Sequence, residues 1–458
     1  MNALQSYSAT VALVAMLSLS SLAQTPVSVP APTPPMGWNS YDWFGAGVNE
    51  AEFKAEVDFM ADHLLPYGWR YATIDYLWFN PQGATSVRPD STGRPRDTLA
   101  MDAYARLLPA VNRFPSAAGG KGFKPIADYV HGKGLKFGIH IMRGIPRQAF
   151  WEHRPVLGTS VTAHEVADTA RSRFCWWNNN MYTVDTSSAA GQAYYNSLID
   201  LYVSWGVDFL KVDDIAAPPY REAEIEMIRK AIDRSGRPIV LSLSPGDTPL
   251  TSAKAVSRQA NMWRVSNDMW DKWESLLYQF ERLDKWSPYI QANHWPDADM
   301  LPIGHLSRGG KVDGPERMSR LSMDETKTLL SLWVLARSPL IMGGDLLTTP
   351  AEVIALLQNK NLLRIDQHSR DNHQLFRDTT RAVWMARDSV PGIIYMGLFN
   401  LSSQARTVGY ELGTIPGVKG RQSVDDLWKG ERVRTVDQRV EALLPPHGTA
   451  LYRLTTIR

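Results

Sequence analysis

The run Val207-Asp208-Phe209-Leu210-Lys211-Val212-Asp213-Asp214 alternates charged and apolar residues. In a strand of a closed parallel barrel, successive side chains face the lumen and the surrounding helices in turn. Leu210 and Val212 suit the helix side, so Lys211 and Asp213 share the lumen side, at the C-terminal strand end where such barrels place their active sites. Standing alone, this pair has a second reading, a buried ion pair that fixes the strand. The same parity, however, groups Thr73 with Asp75, Gly138 with His140, Ser242 with Ser244, and Arg264 with Ser266 and Asp268. A core would carry Val or Leu at these places. Polar residues repeated on one face fit a ligand with many hydroxyls.

Two carboxylates flanking a glycosidic bond are the usual minimum for its hydrolysis, and Asp213 and Asp268 are the candidates. Lys211 on the same strand face favours an ionised Asp213, as a nucleophile requires. Asp268 sits among Met269, Trp270 and Trp273, an apolar setting that favours the protonated form of a general acid, with Arg264 pulling the other way. His294, Asp297, Asp299 and His305 match no familiar metal-ligand spacing, so neither a metal nor another cofactor is expected. No P-loop, strand-following G-x-G-x-x-G or G-x-S-x-G is present. Asn178, Asn179 and Asn180 with Trp176 and Trp177 read either as a loop at the cleft or as an ordinary packed loop.

The elements that must hold these groups follow from periodicity. Helix-like stretches at Glu50–Leu65, Gly122–Lys133, Ala190–Trp205, Arg221–Ser235 and Asp324–Ala336 alternate with short strand-like runs. Such alternation means parallel strands, and a (β/α)8 TIM barrel over 35–365 fits better than an open sheet. Over 366–458, short apolar runs separated by turns predict a C-terminal antiparallel β-sandwich domain. Forty-nine Lys and Arg against 47 Asp and Glu leave a net charge of +2, with no basic block of the kind nucleic-acid binding needs. The 16 Trp and 17 Tyr supply flat rings suited to sugar faces. The single cysteine, Cys175, excludes an intramolecular disulfide and a Cys-cluster zinc site.

Val11–Leu22 is an apolar, small-residue run too short to span a bilayer. It predicts a signal peptide over 1–23, cleaved near Ala23, and an exported protein, although no Lys or Arg precedes Val11. Residues 24–34 read as a Pro-rich linker, and nothing downstream reads as a membrane helix.

Four segments resemble, in order, motifs of glycoside hydrolase family 27, the α-galactosidases and α-N-acetylgalactosaminidases. They are Pro35-Met36-Gly37-Trp38-Asn39-Ser40, the stretch Tyr129 to Ile139, Trp205 to Asp213, and Asp297-Ala298-Asp299-Met300-Leu301. The resemblance implies a (β/α)8 barrel followed by a β-domain, and retaining, metal-free chemistry on an oligo- or polysaccharide. It implies Asp213 as nucleophile and Asp268 as acid/base. Asp75, Lys211, Arg264 and Asp299 are implied as sugar-binding residues, with Trp38 and Tyr41 as aromatic surface. Asp75 corresponds to the first of two adjacent acids that hold the 4- and 6-hydroxyls of galactose.

Departures from the pattern bear on the sugar. Tyr76 stands in place of the second acid, His140 in place of a Tyr on the third strand, and Tyr41 in place of a Trp. Ser244 stands where α-galactosidases carry Glu and the N-acetylgalactosaminidases Ser. The simplest expectation is an exo-acting α-galactosidase. β-L-Arabinopyranoside, α-N-acetylgalactosaminide and isomaltosyl substrates, or a catalytically silent carbohydrate-binding barrel, stay open.

Overall fold

The computed structural model describes residues 29–83, 98–170, 175 and 177–457. The signal-peptide segment, the first part of the 24–34 linker and Trp176 lie outside the described residues. Eight short strands form one parallel sheet: β1 (Met36–Asn39), β2 (Tyr71–Ile74), β3 (Lys136–Met142), β4 (Phe209–Asp213), β5 (Val240–Leu243), β6 (Met262–Arg264), β7 (Trp295–Asp297) and β8 (Leu340–Met342). Their order is β7-β6-β5-β4-β3-β2-β1-β8. The ring closes just beyond β7, where the Leu301 amide donates to the Ile341 carbonyl at 2.7 Å and the Gly343 amide to the Leu301 carbonyl at 3.1 Å. The expected barrel is therefore present.

Helices α1 (Glu50–His63), α2 (Lys124–Gly132), α3 (Ala189–Trp205), α4 (Glu222–Ser235), α5 (Ala253–Gln259), α6 (Trp273–Trp286) and α7 (Met323–Ala336) follow the first seven strands. Helices α8 (Ala351–Leu357) and α9 (Lys360–His368) follow the last. Local chemistry sets several of their ends. Asn49 with Glu52 and Ser322 with Glu325 form capping boxes that satisfy orphan amides of α1 and α7. Gly206, at φ 88°, ends α3 in the left-handed conformation that glycine adopts without a Cβ penalty.

Inside the barrel, residues of one parity stack in layers. Tyr71, Phe209, Val240, Met262, Trp295 and Ile341 form an apolar plug at the N-terminal end, together with Ala31. Ala31 is buried there, its carbonyl accepting from the Trp295 indole at 2.9 Å. The described part of the expected linker thus seals the bottom of the barrel rather than hanging free. Two residues further along, the same parity turns polar on five of these strands, to Thr73, Lys211, Ser242, Arg264 and Asp297, and on β8 leads to Gly343. A packed floor under a polar mouth directs ligand to the C-terminal ends.

Eight antiparallel strands follow: β9 (Arg370–Arg377), β10 (Arg381–Arg387), β11 (Ile393–Asn400), β12 (Arg406–Glu411), β13 (Gln422–Asp426), β14 (Glu431–Val436), β15 (Arg439–Leu444) and β16 (Thr449–Thr456). A six-stranded sheet, β9-β10-β11-β16-β13-β14, packs against the β12-β15 pair over Val383, Met396, Val408, Val440 and Leu454. The boundary read at 365/366 falls inside α9, and strand pairing starts at Arg370.

Candidate active site

A cavity of about 540 Å³ opens at the C-terminal ends of the barrel strands. It brings together Tyr41, Asp75, Tyr76, Lys211, Asp213, Ser244, Arg264, Asp268 and Asp299 from β1, β2, β4, β5, β6 and β7 or the turns that follow them. Residues from such separate points converge only because each sits at the same end of its strand.

On one side, Lys211 Nζ lies 3.0 Å from Asp75 Oδ2, which also accepts from the Asn39 amide at 2.7 Å. The Tyr76 amide donates to Asp75 Oδ1 at 2.8 Å. Burial pushes the Asp75 carboxyl up, but Lys211, His140, Asn39 and the Tyr76 amide outweigh it and hold the carboxyl well below the usual range. Burial pulls the Lys211 ammonium down, and the carboxylates of Asp75, Asp213 and Asp299 more than compensate. This pair stays charged throughout the working range, an anion and a cation both aimed at the cavity.

Asp213, at the end of β4, is held at both oxygens. His140 Nε2 lies 3.0 Å from Oδ2, and the Asp214 amide donates to Oδ1 at 2.8 Å. Asp214 adopts φ 60°, and Arg143 clamps it through its carboxylate at 2.8 Å and its carbonyl at 2.5 Å. That clamp keeps the Asp214 amide pointed at Asp213. Burial pushes the Asp214 carboxyl up to about 6, against the pull of Arg143 and with the charge of Asp213 adding to it.

Across the cavity, Arg264 reaches Asp299 at 2.8 Å and Asp268 at 3.2 Å. Burial raises the Asp299 carboxyl, Arg264 opposes, and Asp268 and Asp297 add to the rise. The Met269 amide donates to Asp299 Oδ2 at 2.8 Å, which fixes the turn carrying Asp268. The apolar setting expected for Asp268 is absent. Its side chain is 65% exposed, because β6 ends at Arg264 and Asp268 rides on the loop beyond it. Trp273 lies elsewhere, stacked on His447 of the β-domain at 3.8 Å.

Two further expectations change. Trp38 does not line the cavity; it is 1% exposed, its indole donates to the Gly344 carbonyl, and its ring meets Phe44 and Phe53. The reason is parity: Trp38 has the helix-side parity of β1, and Asn39 has the lumen side. His140 keeps the lumen-side parity but is 1% exposed and reaches the cavity only through its neighbours Asp213, Asp75 and Tyr76. Sequence reasoning passed over Asn39 and Asp42, although alternation along β1 alone points to Asn39. Trp177 joins the lining, and Asn178 donates to the Tyr76 hydroxyl at 2.5 Å, so the Asn-rich loop does reach the cleft. Burial pushes the hydroxyls of Tyr41 and Tyr76 up, so both stay neutral.

Cys175 is buried, and burial pushes its thiol up, as for an inert small hydrophobe. Among the described residues, no group of three or more His, Cys, Asp or Glu is placed to hold a metal ion. No helix among them is long and apolar enough to cross a membrane.

A family profile described as alpha galactosidase A matches residues 179–368, and one described as alpha galactosidase C-terminal beta sandwich domain matches 378–454. The crystal structure of a β-L-arabinopyranosidase of glycoside hydrolase family 27 from Geobacillus stearothermophilus is similar with TM-score 0.88 and 46% identity, covering 93% of this chain and 97% of that one. Alpha-galactosidase 2 of Arabidopsis thaliana is 26% identical over 92% of this chain and 89% of its own length. The α-N-acetylgalactosaminidase of Gallus gallus is 28% identical over 74% of this chain and 71% of its own. With a matching barrel, a matching β-domain and a relative of this identity along nearly its whole length, the chain belongs to glycoside hydrolase family 27.

Proposed function

We propose that this family 27 glycosidase is a retaining exo-enzyme that releases terminal β-L-arabinopyranosyl residues in preference to α-galactosyl ones. Tyr76 is the observation that carries this reading. It stands where the family pattern places the second of two adjacent acids that together hold the 4- and 6-hydroxyls of galactose. Its ring packs edge-on against His140 at 5.5 Å and lies 5.7 Å from Trp177, with its hydroxyl tied to Asn178. A neutral, fixed aromatic ring gives a hydroxymethyl group neither an anionic acceptor nor room. β-L-Arabinopyranose has the ring hydroxyl stereochemistry of α-D-galactopyranose and lacks that hydroxymethyl group. Asp75, the first of those two acids, and Lys211, which the resemblance assigns to sugar hydroxyls, are retained. Similarity to the Geobacillus β-L-arabinopyranosidase supports the same reading.

In this mechanism Asp213 attacks the anomeric carbon to form a glycosyl-enzyme, while Asp268 protonates the leaving oxygen. Asp268 then takes a proton from the water that releases the sugar with retained configuration. An exposed Asp268 suits a group that must meet both the leaving aglycone and incoming water. The export leader read in the sequence supports the further reading that the enzyme works outside the cytoplasm.

A panel of nitrophenyl glycosides tests the reading: β-L-arabinopyranoside, α-galactoside, α-N-acetylgalactosaminide and α-glucoside, with Asp213→Asn beside wild type. Fastest turnover of the arabinopyranoside, lost in the variant, is expected. Equal or faster turnover of the α-galactoside would overturn the preference and restore the α-galactosidase expectation. Saturable sugar binding with no turnover of any glycoside would favour a silent carbohydrate-binding barrel.

A further inference from the structure

Asp42 lies in the turn after β1, lines the cavity and is 2% exposed. Its carboxyl takes part in no hydrogen bond among the described residues, and its Oδ2 is buried without a partner. The cations of the site are already committed, Lys211 to Asp75 and Arg264 to Asp268 and Asp299. Opposite it, at the end of β8, stands Gly343, where a Cβ would fall 2.0 Å from Asp42 Oδ2. The chain therefore leaves out a side chain at 343 and so makes room for a carboxyl that it does not satisfy. Burying an unpaired carboxyl is costly, and an apolar residue would fill the same space without that cost. Such costs are retained where a ligand supplies the missing partner.

Around the eight-stranded ring, β1 stands opposite β5 and three strands from β4. Asp42 and Asp213 therefore stand on separate parts of the cavity wall, so that a glycone bound between them has one edge at each. Burial, together with the charges of Asp299, Asp268 and Asp75, pushes the Asp42 carboxyl up, with Lys211 opposing. A neutral carboxyl both donates and accepts, which suits a hydroxyl, itself donor and acceptor. We propose that Asp42 is a sugar-binding residue whose buried carboxyl is completed by a hydroxyl on the far edge of the bound glycone. This rests on the glycosidase reading above and adds a recognition contact that the family motifs do not assign to the chain.

The experiment compares kcat/KM of the full-length wild type, Asp42→Leu and Asp42→Asn on nitrophenyl β-L-arabinopyranoside and on its 3-deoxy and 4-deoxy analogues. Asp42→Leu is expected to lose about tenfold or more on the parent sugar and to lose nothing further on the analogue lacking the hydroxyl that Asp42 holds. Asp42→Asn, which keeps a neutral donor and acceptor, should recover most of the loss. Equal losses on the parent and both analogues, or no loss, would overturn the proposal and leave Asp42 a packing residue. If Asp42→Leu fails to fold by thermal melting, Asp42→Ser carries the same comparison. If wild type cleaves none of the glycosides, the functional reading fails first. Calorimetric binding of L-arabinose and D-galactose by the same variants then judges Asp42 separately, and unchanged affinity would overturn its role.

Discussion

Lys211 and Asp75 meet at 3.0 Å although their strands, β4 and β2, do not touch, because β3 runs between them. At the level of Lys211, β3 carries His140, and one layer below stands Gly138, at which a Cβ would fall 2.4 Å from Thr73 Oγ1 and 3.2 Å from Phe209. The ion pair links the side of the cavity that carries Asp213 to the side that the family pattern assigns to the sugar hydroxyls. Lys211→Met should therefore cost both binding and stability, since it strands the Asp75 carboxylate in a buried place. Removing one partner of a buried pair costs about 3–5 kcal/mol. A melting temperature equal to wild type, with unchanged KM, would show the pair to be dispensable.

Asp213→Asn should lower kcat about a thousandfold or more with the fold intact, because the carboxamide cannot form the glycosyl-enzyme. Circular dichroism and a nitrophenyl assay check this together. Turnover near wild type would remove Asp213 from its role and direct attention to Asp214, the neighbouring carboxyl.

Asp268→Ala should discriminate by leaving group. A dinitrophenyl glycoside, whose departing oxygen needs no proton, should still give rapid glycosyl-enzyme formation. An alkyl glycoside should lose about a hundredfold or more, the usual scale of general acid catalysis. Equal losses on both would count against the acid role.

Tyr76→Asp restores a carboxylate beside Asp75 and clears the ring that contacts His140 and Trp177. The ratio of α-galactoside to β-L-arabinopyranoside turnover should rise about tenfold or more, the scale of one gained polar contact with added space. A ratio unchanged from wild type would detach substrate choice from this position.

Away from the cavity, Glu56 on α1 is buried, and burial followed by the neighbouring Asp345 carboxylate pushes its carboxyl up to about 10. Unfolded, it titrates near about 4.3. Its contribution to stability is whole below that value and drains away as pH rises toward 10, since only the unfolded chain can release the proton freely. Wild type should therefore lose melting temperature between pH 5 and pH 9 more steeply than Glu56→Gln. Parallel curves would show that Glu56 ionises freely in place.

Period-two alternation carried much of the site in the sequence. Lys211 and Asp213 face the lumen because Leu210 and Val212 cannot, and Arg264 and Ser242 follow the same rule. The rule failed where it was not applied. Trp38 was assigned to the sugar by its motif, whereas parity along Met36–Asn39 sends it to α1 and brings Asn39 to Asp75. Strand β7, only Trp295–Asp297, is too short and too interrupted by Pro296 to register as a strand at all. The contact of Asn178 with Tyr76 spans 102 positions, and no local spacing encodes it. Exposure of Asp268 depends on where β6 stops, and strand ends are the least legible feature of a sequence.

Helix α7 is apolar on nearly every side: from Thr328 to Ala336 each residue is buried. One flank lies on the barrel, where Trp333 donates to the Asp299 carbonyl, and another meets the β-domain, where Leu335 packs so closely that a Cβ at Gly397 would fall 2.4 Å from it. Asp299 is a cavity residue, so the wall of the catalytic centre and the β-sandwich share one helix between them. A barrel cut free after His368 would set that helix against water, with its hydrocarbon surface bare and its hold on Asp299 loosened. The barrel and the β-sandwich thus share one buried helix, and a cut between them exposes on one side what the other had covered.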